Sequence, residues 1–191
     1  MNREEYNLTG NCLLYLFLSE ILQVGAIMVA FVPLFGFLVS FLLNLAGIAL
    51  AVYGPYQARN VHPNFNNALY VAFVTGVVSV IGRVIPQGGV LSGIFNIVTA
   101  VLSFLNVYFI CTAAAQVLET RDVALAARAD MIWKVIALCE VVSIIATLTS
   151  WIPLLNILTS LLGAIVGIIG IVVAVVRIVF YYQAANVLRA G

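Results

Sequence analysis

The chain has 191 residues, 64% of them apolar and only 8% charged, eight Lys or Arg against seven Asp or Glu, for a formal net charge of +1. A soluble domain carries roughly 25% charged residues, so this chain cannot cover a water-facing surface, and six membrane spans of about 20 residues each nearly exhaust its apolar positions, leaving none for a second soluble domain. The near balance of charge, with no cluster of Lys or Arg, excludes nucleic acid as a main partner.

In chain order, the start Met1-Asn2-Arg3-Glu4-Glu5 is not basic, and the apolar stretch beginning near Cys12 outruns a signal-peptide core. The first segment is therefore expected to remain as a span. No charge occurs between Glu20 and Arg59, Arg59 and Arg83, Arg83 and Glu119, or Glu140 and Arg177. Each gap has room for a span. Pro33, Pro86 and Pro153 divide apolar stretches, because a ring without an N–H ends one helix and permits a tight turn. The pattern predicts helices at about 12–32, 34–58, 67–85, 90–118, 131–151 and 154–188, joined by polar connections at Arg59–Asn66 and Glu119–Asp130. The expected fold class is an all-α integral membrane protein of six transmembrane helices, a single polytopic domain over residues 1–191.

Lys and Arg are retained on the cytoplasmic side during insertion. Arg3, Arg59, Arg121, Arg128, Lys134, Arg177 and Arg189 fall on the side of the termini, and Arg83 alone on the other, which predicts both termini inside. Tyr53, Tyr56, Tyr108, Tyr181 and Tyr182 read as an aromatic belt at that face. The sixth helix is too long for ~30 Å of hydrocarbon, so it tilts or its last turns from Arg177 emerge.

The sequence also repeats. Tyr56-Gln57-Ala58-Arg59-Asn60-Val61 is similar to Tyr182-Gln183-Ala184-Ala185-Asn186-Val187, with Thr112-Ala113-Ala114-Ala115-Gln116-Val117 a weaker copy, and each closes an even-numbered helix. This predicts three tandem helical hairpins, at approximately 12–61, 67–118 and 131–188, as parallel repeats sharing one orientation. Glu20 and Glu140 each lie thirteen residues before a turn proline, followed three residues later by Gln23 and Ser143; the middle unit has Phe73 instead. At ~20 Å along the helix from the outer turn, the two carboxylates are expected inside the hydrocarbon, about a third of the way from the cytoplasm. Protonation, pairing or water must lower that cost.

Each even helix carries a stripe of small and polar residues: Ser40, Asn44, Gly47, Ala51 and Gly54; Ser92, Asn96, Thr99, Ser103 and Asn106; and Asn156, Ser160, Gly163, Gly167, Gly170, Ala174 and Arg177. Lipid offers such side chains no partners, so the stripes face protein or water. Two readings remain open: a helix-packing surface, with Gly47, Gly163, Gly167 and Gly170 as close-approach positions, or a polar pathway through Asn44, Asn96, Thr99 and Asn106.

Catalytic signatures are missing. His62 is the only histidine and sits in a loop before Pro63, no Gly-rich phosphate cradle with a lysine is present, and Cys12, Cys111 and Cys139 fall in or beside apolar runs as buried thiols. No enzyme activity, metal or cofactor is expected. Six spans in a chain this size is similar to the vitamin-binding subunits of energy-coupling-factor transporters, a likeness of size without matching motifs. More generally the chain resembles small prokaryotic membrane proteins built from proline-turned hairpins, which implies a multi-pass protein of a prokaryotic plasma membrane. The expected function is movement of a small solute or cation, alone or as the membrane subunit of a transport complex. The alternative is a structural or interaction protein. Its partners would be membrane lipids and either a second copy of itself or another membrane subunit.

Overall fold

The computed structural model describes residues 2–32, 35–82, 90–149 and 153–190, with the backbone only of Val80, Val90 and residues 153–160. Pro33, Arg83, Pro86 and Gln87 in the expected turns, and the side chains of Asn156 and Ser160 in the third stripe, lie outside the described residues. Among those described are six α-helices: α1 Arg3–Val29, α2 Gly36–Ala58, α3 Pro63–Gly82, α4 Val90–Leu118, α5 Val123–Thr149 and α6 Pro153–Arg189. Five of them are long and apolar enough to cross a membrane, and the protein is a multi-span, all-helical membrane protein.

The odd helices begin earlier than apolar periodicity alone predicts, because polar caps rather than hydrophobicity start them. Asn2 and Glu5 form a capping box at α1: the Asn2 side chain accepts from the Glu5 amide at 2.9 Å, and the Glu5 carboxylate accepts from the Asn2 amide at 2.8 Å. At α3, His62 Nδ1 accepts from the Asn64 amide at 3.1 Å, and Pro63 takes the first helical position, where its missing N–H costs nothing. Asp122 does the same for α5, accepting from the Leu125 amide at 3.0 Å. The expected connection Glu119–Asp130 is therefore mostly the first two turns of a helix.

The helices form a ring in sequence order. α1 packs along α2, α4 along both α3 and α5, and α6 closes the ring against α5 and α1; α2 and α3 are the loosest of these neighbours. Across the ring, α4 touches α1 and α6. Close approach of α1 and α2 depends on glycine. A Cβ at Gly47 would meet Gln23 Cγ at 3.0 Å, and one at Gly54 would meet the Cys12 carbonyl oxygen at 2.9 Å.

The main buried cluster sits toward the end that holds both termini, called proximal here. It joins Cys12, Leu13 and Leu16 of α1 to Phe65 of α3, Ile110 and Cys111 of α4, Ile132 of α5, and Phe180 and Tyr181 of α6. Polar contacts tie the same end together: Tyr6 Oη lies 2.8 Å from Thr120 Oγ1, Arg121 stacks over the Tyr6 ring at 4.3 Å, and Arg128 donates to Gln183. Toward the distal end the helices expose large apolar side chains, among them Phe37, Leu161, Ile168 and Ile171. In a bilayer those surfaces meet acyl chains, which is why so apolar an exterior is compatible with folding.

Candidate functional site

A polar cavity of about 180 Å³ lies inside the ring, walled by five of the six helices. Its polar lining is Ser19, Glu20 and Gln23 from α1, Thr75 and Ser79 from α3, Ser103 and Asn106 from α4, and Arg177 and Tyr181 from α6; α2 adds Ile48 and Ala51. The depth follows from helix geometry. Asn106 and Arg177 each lie twelve residues from the proximal ends of their helices, Leu118 and Arg189, or about 18 Å at 1.5 Å per residue. Ser19 donates to the carbonyl of Gly47, the midpoint of α2. The cavity thus lies at the level of the midpoint of α2 and about a third of the way along α6 from its proximal end.

Its central feature is an ion pair. Arg177 Nη2 lies 2.6 Å from Glu20 Oε1, with both side chains mostly shielded, at 18% and 23% exposure. Arg177, expected near the cytoplasmic interface, lies twelve residues from the proximal end of α6, and because α6 packs antiparallel to α1 its guanidinium meets Glu20 rather than open solvent. Removing two charges from water is costly, and mutual attraction with good geometry offsets that cost. Tyr181 is corrected from belt to wall. It is 2% exposed, while Tyr53, Tyr56 and Tyr182 remain outside at 45%, 47% and 49%.

Not every polar atom of the wall is satisfied. Gln23 donates to Ser19 Oγ, whose own proton goes to Gly47 O, and Thr75 donates to the Val71 carbonyl of its own helix. Asn106 Oδ1 and Arg177 Nε, however, are buried with no partner among the described residues. Each such group costs roughly 1–3 kcal/mol. Pro55, inside α2, lacks an N–H and so cannot donate to the carbonyl of Ala51 four residues before it.

The expected residues separate into two groups. Glu20, Gln23 and Asn106 line the cavity and Gly47 accepts a bond at its edge, together with Ser103 of the second stripe. Glu140 and Ser143 do not, since α5 contributes nothing to the lining; Glu140 is half-buried and has no ion-pair partner among the described residues. The two glutamates, equivalent in sequence, are thus not equivalent in space. Asn44 donates to Ser40 O and Thr99 to Phe95 O within their own helices, and Asn96 is exposed. A Cβ at Gly163, Gly167 or Gly170 would meet nothing within 4 Å, so these three face open space in the single chain.

Arg177, Tyr181, Thr75 and Ser79 were not singled out as site residues by sequence. Arg177 does end the stripe of α6, and Thr75 and Ser79 are four apart on one face of α3, so a signal was present; the helix offsets that bring them together were not. Among the described residues no group of three His, Cys, Asp or Glu side chains is arranged to hold a metal ion. Compared with protein-family models, with curated protein sequences and with solved structures, the chain matches none.

Proposed function

We propose that the protein is a non-enzymatic integral membrane protein that binds a small solute or cation at mid-bilayer and moves it across, alone or as the membrane subunit of a transport complex. The cavity with its Glu20–Arg177 pair carries this reading. A surface used only for helix packing gains nothing from an open volume lined by Glu20, Gln23, Asn106 and Arg177, or from a buried amide oxygen and guanidinium nitrogen that have no partner among the described residues. An ion pair at that depth is also a two-state element: protonating Glu20, or offering either partner a competing ligand, releases the other.

The same reading takes both termini as cytoplasmic and the three hairpins as parallel repeats about an axis along the membrane normal. The ring order, with α6 returning to α1, supports it. On this view α5 and α6 have diverged from the first hairpin, and Glu140 is a relic of the repeat rather than a working group.

The test is flux in proteoliposomes across a panel of cations, polyols and amino acids. Glu20→Gln combined with Arg177→Gln keeps the cavity polar and neutral and is expected to fold with near wild-type stability while losing at least tenfold in flux. Glu140→Gln should leave flux unchanged. Glu20→Gln alone leaves the Arg177 charge uncompensated and should cost about 3 kcal/mol of stability. Absence of flux in the wild type for every solute, or indifference of flux to the double variant, overturns the reading.

One observation favours the structural alternative, a scaffold that assembles in the membrane. The face of Gly163, Gly167 and Gly170 is uncovered, and small residues four apart are a common surface for close helix association in lipid. A second copy or another membrane subunit would cover it, and mass measurement of the detergent-solubilised protein reads which.

A further inference from the structure

An apolar groove of about 350 Å³ follows the seam between α2 and α3, lined by exposed side chains that include Leu45, Phe73, Val77 and Ile81. Two residues, Ile48 and Gly76, line both this groove and the polar cavity. They are the partition between the two. Gly76 has no side chain, and Ile48 Cγ2 would lie 3.3 Å from a Cβ placed there, so Ile48 supplies the side chain of that partition. The seam is also the loosest contact between sequential helices.

We propose that cavity and groove are one bipartite site for a single-chain amphiphile with an uncharged, hydroxyl-bearing head, of the monoacylglycerol type, which enters sideways from the bilayer between α2 and α3. The proposal rests on the central-cavity reading above and narrows its ligand to an uncharged amphiphile, setting the cation aside. The chain lies in the groove, whose lining presents no polar side chain. The head lies in the cavity, which has the volume of about six waters at ~30 Å³ each.

Charge selects the head. Glu20 and Arg177 cancel, so a phosphate drawn to one is repelled by the other, and an ammonium likewise. An alcohol donates and accepts at once, which matches the two unpartnered atoms: it can donate to Asn106 Oδ1 and accept from the Arg177 Nε–H. Both atoms are covered by neighbouring groups, so the head must part the side chains over them.

The test is photolabelling of the full chain in nanodiscs by a monoacylglycerol carrying a diazirine in its acyl chain. Labelling is expected at Phe73, Val77 and Ile81, competed by unlabelled monoacylglycerol and not by glycerol or by a headless hydrocarbon. Gly76→Val, which enlarges the partition, and Asn106→Leu, which removes the acceptor, should each reduce the competed labelling at least tenfold, with folding checked by thermal stability. Labelling spread equally over α6 residues such as Ile168 and Ile171, indifference to Asn106→Leu, or equal competition by free glycerol overturns the proposal. Lost labelling with flux that still depends on the Glu20–Arg177 pair removes the amphiphile and leaves the central-cavity reading. Flux indifferent to that pair, with labelling intact, removes the transport reading and leaves the amphiphile site.

Discussion

Asn106 shows how a single residue can be a cost to the fold. Its Oδ1 is buried without a partner among the described residues, whereas Ser19, Gln23, Asn44 and Thr99 each have one. Replacing an unsatisfied polar group by an apolar one of similar size removes its desolvation cost. Asn106→Leu is therefore expected to raise stability by about 1 kcal/mol, read as a higher midpoint of thermal unfolding in detergent. An unchanged or lower midpoint would mean that Oδ1 finds a partner in the membrane-embedded protein, a water for instance. Coupled with lost binding, the gain would mark Asn106 as a residue kept for function at the expense of stability.

Between helices, the glycines of α2 and α6 look alike in sequence and differ in what surrounds them. Gly54 lies so close to α1 that a Cβ would be 2.9 Å from the backbone oxygen of Cys12, which cannot rotate away. Gly54→Val should thus force α1 and α2 apart at a cost of roughly 1–3 kcal/mol. Around Gly167 a Cβ has nothing within 4 Å, and alanine is the better helix former by about 0.5–1 kcal/mol, so Gly167→Ala should be neutral or stabilising in the monomer. Parallel unfolding curves for the two variants check both. If Gly167→Ala also loses stability, and loses it only at high protein concentration, the α6 face is buried between copies. Helix caps act at the same scale. Asp122 begins α5 eight residues before the predicted apolar segment, which a hydropathy pattern has no means to register.

For the molecule as a whole, the arrangement of charge predicts orientation. Single cysteines at Asn64 and Ala124, placed in a background with Cys12, Cys111 and Cys139 replaced, should be labelled by an impermeant maleimide only from the cytoplasmic side, and one at Gln87 only from outside. Labelling of Ala124 from outside would reverse the topology and, with it, the direction in which the cavity faces.

Much of this was legible without coordinates. Class, helix number and the approximate spans follow from where 15 charges and three prolines fall in a chain that is 64% apolar, because hydrocarbon admits only segments that satisfy their own backbone. Glu20 was legible for the same reason: a carboxylate inside a span stands out against its neighbours. What one helix cannot reveal is which neighbour it meets and at what axial offset. That offset put Arg177 against Glu20, turned Tyr181 inward and left Glu140 without an ion-pair partner among the described residues, although the local sequence around the two glutamates is nearly equivalent. Periodicity and hydropathy are properties of one segment and its solvent, and they were sufficient for the elements. The site is a property of five segments packed together, so only the tertiary structure decided it.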